Sequence, residues 1–278
     1  MTILVTGASG HVGRSVLDQL VAAGVEVRAS SRTPEAASLP PTVSVVAADL
    51  TRPDTLPAAL AGITKVFLYA QPEGIEGFVR AATAAGVEHV VFLSSASTVM
   101  GPGASDPIAQ RHLMVEHALA GSGIAWTFVR PGAFATNALR WADAIRTEGV
   151  VRIPYPQAQT APIHEADIAA VAVTALTETT LHGAAPVLSG PESLTQEQQV
   201  AQIGVALGRD LRVDELSPAQ ARDEMARSMP PQVVETMLRM WATIDGAPAT
   251  ISGSVERITG RPARTFARWA RDHAADFR

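Results

Sequence analysis

The sequence predicts an α/β fold, a doubly wound parallel sheet followed by a smaller, mostly helical C-terminal lobe. Three observations carry this prediction. Short β-branched runs alternate with longer alanine-rich runs through the first half of the chain, which is the pattern of βαβ units. The first apolar run leads into a glycine-rich turn that opens an amphipathic segment. After Pro131 the alternation stops, and proline-rich loops and helical runs follow.

The apolar runs of the first half are evenly spaced, and each is short enough for one strand. The predicted strands are Thr2–Thr6, Glu26–Ser30, Val43–Ala47, Lys65–Tyr69, His89–Leu93 and Ala125–Val129. The predicted helices between them are His11–Ala23, Pro53–Ala61, Glu73–Ala85 and Pro107–Ala120. A glycine follows each helix, where a left-handed C-terminal cap favours this residue, at Gly24, Gly62, Gly86 and Gly121.

The second half predicts a loop at Ile153–Pro156 and another at Thr160–Pro162, because prolines cluster there. Beyond them we expect a helix at Asp167–Leu176, a strand at Ala185–Leu188 and a mostly helical remainder broken at Pro230 and Pro231. The expected domains are therefore residues 1–152, to which the chain returns at about 161–176, and a smaller lobe at 153–278.

Composition excludes several classes of protein. The 278 residues are 47% hydrophobic and 18% charged, which is too apolar for a disordered chain. The net charge of −5 and the lack of a basic run argue against nucleic acid, and zero cysteines exclude disulfides and thiolate metal sites. No apolar run reaches the length of a membrane span, and Gly7 interrupts the first one too early for a signal peptide. We expect a cytoplasmic protein without a membrane partner; the oligomeric state stays open.

The turn after the first strand has the spacing Gly7-Ala8-Ser9-Gly10-His11-Val12-Gly13. Glycines let the backbone approach a phosphate, and the N-terminus of the following helix favours a pyrophosphate. Strand, glycine turn and helix together predict a dinucleotide site and hence a Rossmann-type sheet. The alternative is a glycine turn that serves only close packing of strand and helix.

The end of the second strand favours NADP(H) over NAD(H). An acidic residue that would hold a ribose diol is missing there, and Ser31 and Arg32 follow instead, which suit a 2′-phosphate. Arg14 could reach the same region, whereas Arg32 could also be a solvated loop charge. Asp49, with Leu50 beside it, could accept from the adenine amino group or could form a turn.

Several segments together resemble the NmrA-like branch of the atypical short-chain dehydrogenases/reductases. They are the Gly7–Gly13 turn, Val27–Pro34, Val91–Ser95, Thr127–Phe134, Ile163–Ala169, Thr259–Pro262 and Phe266–Ala270. Members of this family include NADPH-dependent quinone, azo and flavonoid-type reductases and NADP-sensing regulators.

The resemblance implies an NAD(P)H-dependent oxidoreductase and assigns cofactor contacts. It implies that the pyrophosphate is lined by Gly7, Ser9, Gly10, His11, Val12 and Gly13. It also implies that Arg32 meets the 2′-phosphate and that the nicotinamide half lies beside Ala70, Gln71, Pro131 and Gly132.

Short-chain dehydrogenases usually protonate the carbonyl oxygen with a tyrosine assisted by a lysine four residues later. Here Lys65, the single lysine, begins a strand, and no tyrosine lies between Ser94 and Gly123. In many relatives a lysine precedes a helix glutamate by four residues. With Glu116 as that glutamate, the lysine position is His112 and the tyrosine position falls near Ile108.

Three side chains are candidates for catalysis. His112 could bind the nicotinamide ribose or deliver a proton near neutral pH, or it could simply pair with Glu116. Ser94, which also borders the cofactor site, and Ser95 could bind a substrate oxygen or satisfy a turn. Tyr155 could cover the substrate pocket and offer its phenol, or it could be a surface loop aromatic.

The substrate pocket is predicted to include Tyr155 and three residues at helical spacing after Pro131-Gly132, namely Phe134, Asn137 and Trp141. Such a stripe could equally be plain core. His164 and Asp167 have the spacing of a metal pair, but without a third ligand nearby we interpret Asp167 as a helix cap and predict no metal. A serine hydrolase is not supported, because no GxSxG motif occurs.

The missing Tyr/Lys pair favours a substrate that needs little help with its proton. Hydride addition to a quinone, an enone or an imine puts charge on a delocalised or already cationic acceptor. We therefore predict an NADPH-dependent reductase of conjugated, aromatic or otherwise unsaturated small molecules. The alternatives are a redox-sensing regulator that binds NADP(H) without catalysis, and a non-redox cyclase or isomerase on the same fold.

Overall fold

A computed structural model describes residues 1–100, 106–227 and 229–278. In chain order its strands are β1 (Thr2–Val5), β2 (Glu26–Ser31), β3 (Ser44–Ala47), β4 (Lys65–Leu68), β5 (His89–Leu93), β6 (Ala125–Pro131), β7 (Val150–Ile153), β8 (Gln159–Thr160), β9 (Val187–Leu188), β10 (Leu194–Thr195) and β11 (Arg212–Glu215).

The helices are α1 (His11–Ala22), α2 (Leu56–Leu60), α3 (Ile75–Ala85), α4 (Ser97–Met100), α5 (Pro107–Ala120), α6 (Ala142–Thr147), α7 (Glu165–Thr177), α8 (Gln196–Leu207), α9 (Pro218–Met225), α10 (Pro231–Ile244), α11 (Ser254–Thr259) and α12 (Phe266–Asp272). Shorter 3₁₀ segments lie at Pro34–Ala36, Pro53–Thr55, Pro72–Gly74, Ala135–Trp141 and Ala274–Phe277.

Contacts between Cα atoms divide the chain into two units. The larger comprises Met1–Gly132, Glu165–Leu188 and Ser254–Arg261, and the smaller comprises Ala133–His164, Ser189–Gly253 and Pro262–Arg278. The larger unit therefore ends its first stretch at Gly132, twenty residues before the predicted boundary. The segment after β6 is helical, like the segments after the earlier strands, so nothing local in the sequence separates it from them.

A seven-stranded sheet organises the larger unit, in the order β3-β2-β1-β4-β5-β6-β9, and the neighbouring strands are parallel. The predicted Rossmann-type α/β fold is confirmed. The strand order reverses between β1 and β4, and ligands of such sheets bind in the crevice at the carboxyl ends of the strands next to this switch point.

Alternating side chains give the sheet two apolar faces. Leu4, Val66 and Phe92 are buried in one cluster with side chains of α2, α3 and α5. Because successive residues of a strand point to opposite faces, Val5 and Phe67 face the other side, where α1 packs against β1 and α7 packs against β4. Helices therefore cover both faces, and the loops at the strand ends are left to form a site.

One predicted cap is wrong in its conformation. Gly121 follows α5 but has φ −83°, which is right-handed, and Gly123 takes the left-handed conformation instead, with φ +80°. The chain makes one further tight turn at the helix end, where the Ser122 N–H donates to the Leu119 carbonyl (3.1 Å), before it reverses into β6. Gly24, Gly62 and Gly86 have the expected positive φ.

The smaller unit is built from two short sheets and several helices. β7 and β11 pair in parallel, and β8 and β10 pair antiparallel. Trp269, Phe266 and Phe277 anchor one apolar cluster, while Leu238 and Trp241 of α10 belong to another. Among the described residues, no helix is long and apolar enough to cross a membrane.

Candidate functional site

The glycine turn after β1 depends on close backbone packing. Gly7 has φ +64°, and its carbonyl accepts from the Gly10 N–H at 3.0 Å. A Cβ added at Gly13 would lie 2.2 Å from the Gly7 carbonyl oxygen, inside any tolerable contact. The turn is therefore pulled tightly onto the first turn of α1, and the absence of side chains at these positions is a geometric requirement.

The start of α1 suits an anion. Gly10 is its N-cap residue, and among the described residues no side chain caps this end and no acidic residue stands in the first turn. Ser9, Gly10 and His11 are exposed, whereas Val12 and Gly13 are buried and offer only backbone. The positive end of the helix dipole and the backbone N–H groups thus face outward, which is the arrangement that holds the pyrophosphate of NAD(P)H.

Arg32 is exposed just beyond β2, as a residue binding a cofactor phosphate must be. The Ser31 hydroxyl accepts from the Thr33 N–H (3.1 Å) and so shapes this turn. Arg14 pairs with Asp18 on its own helix (2.9 Å) and donates to the carbonyl of Ser38, also at 2.9 Å, in the loop after β2. Its guanidinium therefore does reach the loop that carries Arg32.

Asp49 forms a local turn at the end of β3. Its Oδ1 accepts from the N–H of Thr51 (2.9 Å) and from the Thr51 hydroxyl (2.8 Å). These two hydrogen bonds hold the pKa of the Asp49 carboxyl below its usual value, with smaller help from Arg32 and Arg52. The turn-forming alternative thus accounts for Oδ1, while the neighbouring Leu50 is buried.

Tyr69 is a site residue that the sequence did not reveal. It follows β4 directly, and a Cβ on Gly7 would lie 3.1 Å from its ring. Burial raises the pKa of the Tyr69 phenol, while Arg32 lowers it and Asp49 raises it, so the ring lies within the field of both charged groups. Its position on the strand beside β1 at the switch point was the available signal.

The segment after Tyr69 is tied to α5 by polar side chains. Gln71 donates to Glu73 (3.0 Å), and Glu73 forms an exposed ion pair with Arg111 (2.7 Å). Ala70 and Gln71 are half-buried. The backbone of Pro131 and Gly132 is also fixed, because the Pro131 carbonyl accepts from Ala96 and the Gly132 N–H donates to Leu188, both at 2.9 Å.

A buried polar network lies at the carboxyl end of β5. The Ser94 hydroxyl donates to Oε1 of Glu116 (2.5 Å), and Arg130 of β6 binds both carboxylate oxygens, at 2.9 and 2.6 Å. Ser94 and Glu116 are both buried. Because the single hydroxyl proton of Ser94 points to Glu116, its oxygen can only accept a further hydrogen bond. Ser95 accepts from the N–H of Ser97 (3.2 Å), which is the turn role.

His112 does not pair with Glu116, whose carboxylate is taken by the other two residues. Its Nδ1 lies 2.7 Å from the Ile108 carbonyl oxygen, and its ring centroid lies 6.1 Å from that of Phe92. A carbonyl only accepts, so Nδ1 carries a proton, and Nε2 of the neutral ring is an acceptor. Only a protonated ring could donate from Nε2.

Tyr155 belongs to the smaller unit and has an unusual backbone. Its φ of +52° is in the left-handed region, which is uncommon for a bulky residue and costs of order 1 kcal/mol or more. Gln196 holds the loop, because its amide donates to the carbonyls of Pro154 (2.9 Å) and Tyr155 (3.1 Å). The ring is half-buried against the cluster of Leu238 and Trp241, so it is more than a loose surface aromatic.

The other predicted pocket residues, also in the smaller unit, do not share one face. They begin a 3₁₀ segment in which residues four apart differ by about 120° around the axis. Phe134 is half-buried, Asn137 is exposed, and Trp141 is 4% exposed within the core of this unit. The core alternative therefore fits the indole of Trp141, and Phe134 and Asn137 keep accessible surface.

The predicted cofactor residues of the larger unit meet at one edge of its sheet. Gly7 follows β1, Arg32 follows β2, Asp49 follows β3, Ala70 follows β4, Ser94 follows β5 and Gly132 follows β6. Because the strands are parallel, their carboxyl ends share this edge, and the switch point lies at its centre. The glycine cradle and the uncapped helix fit a bound dinucleotide.

Comparison with known proteins agrees with this geometry. Residues 7–179 match the protein family described as NAD(P)H-binding. The chain is 43% identical to a (4-alkanoyl-5-oxo-2,5-dihydrofuran-3-yl)methyl phosphate reductase of Streptomyces griseus, over 99% of both chains. It is 36% identical to an NAD(P)H azoreductase of Xenophilus azovorans, again over 99% of both. A solved NADPH-dependent quinone oxidoreductase of Escherichia coli is 26% identical and superimposes with a TM-score of 0.81, covering 97% of this chain and 98% of that one.

Proposed function

Because the chain belongs to the NAD(P)H-binding family, in the NmrA-like branch of atypical short-chain dehydrogenases/reductases, and is an NAD(P)H-dependent oxidoreductase, we propose that it reduces a conjugated small molecule. The predicted family, enzyme class and NADP(H)-type cofactor are confirmed. The substrate class, the site residues and a cytoplasmic location stay predictions. The observation that carries the proposal is the glycine cradle at the switch point, joined to a relative 43% identical over its whole length.

The cofactor would be held by backbone and by one cation. The turn from Gly7 to Gly13 would bind the pyrophosphate through N–H groups, and Arg32 would bind the 2′-phosphate. When bound, the cofactor supplies a hydride from its nicotinamide ring. Ser94, whose proton is directed to Glu116, would accept a hydrogen bond from the nicotinamide half.

We favour an α,β-unsaturated lactone as the substrate. The named relatives act on an unsaturated furanone, on azo compounds and on quinones, and in each of these the reducible bond is conjugated. Hydride addition at the β-carbon of an unsaturated lactone moves an electron pair onto the carbonyl oxygen, where it is delocalised. Such an acceptor demands only a modest proton donor, which suits a chain whose single lysine lies at the start of a strand.

Two side chains can supply that proton. Protonated His112 can donate from Nε2, because Nδ1 is fixed to the Ile108 carbonyl. Tyr155 can donate its phenol proton, and the strained backbone that presents it is held by Gln196. We assign the proton transfer to His112 first, because imidazole changes charge near neutral pH, whereas a phenol ordinarily does so near pH 10.

The test is NADPH oxidation, followed at 340 nm, with a (4-alkanoyl-5-oxo-2,5-dihydrofuran-3-yl)methyl phosphate, 1,2-naphthoquinone and methyl red as acceptors. We expect saturable turnover, highest with the lactone, and a product two hydrogens heavier by mass spectrometry. A chain that binds NADPH by fluorescence but reduces none of the three would overturn the proposal. Tighter binding of NADPH than of NADP⁺, or the reverse, without turnover would then favour a redox sensor, and an isomerised lactone would favour an isomerase.

A further inference from the structure

Arg140 in the smaller unit lies between two tryptophans. Its guanidinium carbon is 4.7 Å from the ring centroid of Trp141 and 5.3 Å from that of Trp241. Its terminal nitrogen also donates to Oε1 of Gln196 at 2.9 Å. That amide is 3% exposed and is itself fixed by two backbone carbonyls, so the guanidinium is oriented from three directions.

The charge of Arg140 has no carboxylate partner among the described residues. Other arginines of the same unit do have one: Arg146 pairs with Asp143, Arg152 with Glu148, Arg222 with Glu235 and Arg268 with Asp272. Surrounding protein atoms lower the pKa of Arg140 to about 10 by desolvation, which still leaves it charged at neutral pH. The side chain nonetheless reaches solvent. A preoriented cation without a counterion is a binding group rather than a structural one.

The neighbouring indole adds to the shortage of acceptors. Nε1 of Trp141 is buried and, within the described part of the chain, has no hydrogen-bond partner. Buried N–H groups are normally satisfied, so this patch holds two kinds of donor and too few acceptors. Gln196 takes one N–H of Arg140, and a guanidinium has five, so enough remain for a bidentate contact.

We propose that Arg140 binds an oxyanionic group of the substrate, a phosphate monoester in the first instance, through paired charge-assisted hydrogen bonds. The inference rests on the proposed function, because it concerns the molecule that is reduced. A cationic ligand is excluded from this cage, since the guanidinium already occupies the space between the two rings. A carboxylate offers the same two-oxygen edge and is the other source of the same chemistry.

The experiment uses a matched pair of acceptors, the furanone methyl phosphate and the corresponding alcohol. We expect wild-type chain to prefer the phosphate, and Arg140→Gln to lower the ratio of kcat/KM for phosphate over alcohol by about 10- to 100-fold, as loss of a charged hydrogen-bonding group does. Arg140→Lys keeps the charge without the fork, so it should recover part of the ratio. The control is Arg152→Gln, an exposed paired arginine, which should leave the ratio unchanged. A carboxymethyl analogue of the lactone separates carboxylate from phosphate recognition.

Each outcome decides one claim. If both acceptors are reduced and Arg140→Gln leaves their ratio unchanged, the inference is wrong and the proposed function stands. If wild-type chain reduces neither, the proposed function fails, and phenyl phosphate then decides the inference by thermal shift. In that assay we expect a higher Tm for wild type but not for Arg140→Gln or Arg140→Lys at equal concentration. Equal shifts in all three would overturn the anion site.

Discussion

The hydroxyl of Ser94 lies 2.5 Å from the buried carboxylate of Glu116, which joins the end of β5 to the middle of α5. The same carboxylate binds Arg130 of β6 with both oxygens. Glu116 is therefore the fixed point that sets where Ser94 lies and which way its proton points. It also leaves His112, one turn earlier on α5, without the partner that the sequence offered it.

Removing the charge of Glu116 should destabilise the fold strongly. Glu116→Gln keeps the shape but leaves the guanidinium of Arg130, largely buried, without its counterion. We expect the free energy of unfolding to fall by about 3 kcal/mol or more, measured by urea denaturation. The matched control is Glu73→Gln, which breaks the exposed pair with Arg111 and should change stability little. Equal losses in the two variants would contradict a buried, structural role for Glu116.

The glycine turn should separate two neighbouring glycines. Gly13→Ala would place a methyl group 2.2 Å from the Gly7 carbonyl oxygen, so we expect NADPH binding to be lost and stability to fall by about 1–3 kcal/mol. Gly10→Ala would place it at 3.4 Å, with φ −84° that alanine tolerates, and should still bind. Fluorescence titration with NADPH measures both. Binding by Gly13→Ala as tight as by Gly10→Ala would show that the turn relaxes freely.

Arg32 should decide the choice of cofactor. In Arg32→Gln we expect kcat/KM with NADPH to fall about 10- to 100-fold, the value of a charged hydrogen-bonding group, and kcat/KM with NADH to change less than threefold. Arg80→Gln, on the exposed face of α3, is the control and should change neither. A parallel loss with both cofactors would mean that Arg32 supports the loop rather than the 2′-phosphate.

How much of this site the sequence reveals depends on how local each signal is. Gly7 and Gly13 lie in one short motif after one strand, so spacing alone predicts the cradle. Arg140 is beside Trp141 in the chain, but Gln196 and Trp241 are distant in sequence, and only the packing of the smaller unit brings them together. No local pattern carries that information.

The fold shows the same division. All six strands predicted for the first half occur with small shifts at their ends, because apolar runs and turn residues are local signals. The boundary after Gly132 was missed because a 3₁₀ segment and α6 there have the composition of one more sheet-covering helix. Glu116 and Arg130 meet only after α5 has packed on β6, so their pairing, which displaced His112, was equally hidden.

His89 should make the larger unit sensitive to acid. It is fully buried, with Nε2 3.0 Å from the Thr127 hydroxyl, and burial, with help from His182 and Lys65, lowers its pKa to about 3. Below about pH 6.5 the unfolded chain binds a proton that the folded chain does not, so stability falls as pH drops from 6.5 towards 3. The slope is about 1.4 kcal/mol per pH unit at most.

The measurement is urea denaturation of wild type and His89→Gln between pH 7 and 4.5. We expect the variant to be less stable at neutral pH but to lose clearly less stability on acidification. His117→Gln, at an exposed position of α5, is the control and should follow wild type. Parallel pH curves for all three chains would show that His89 is not the acid-sensitive group.

The identity of the proton donor can be decided between His112 and Tyr155. If His112 acts from Nε2, then His112→Gln should lower kcat about 100-fold and abolish the titration of kcat near neutral pH, while the Kd for NADPH stays within threefold. Tyr155→Phe keeps the ring and its packing and should lower kcat only slightly. A flat pH profile confined to Tyr155→Phe would reverse the assignment. Full activity in both variants, and in the double variant, would mean that water protonates the product, which a delocalised acceptor permits and an isolated ketone does not.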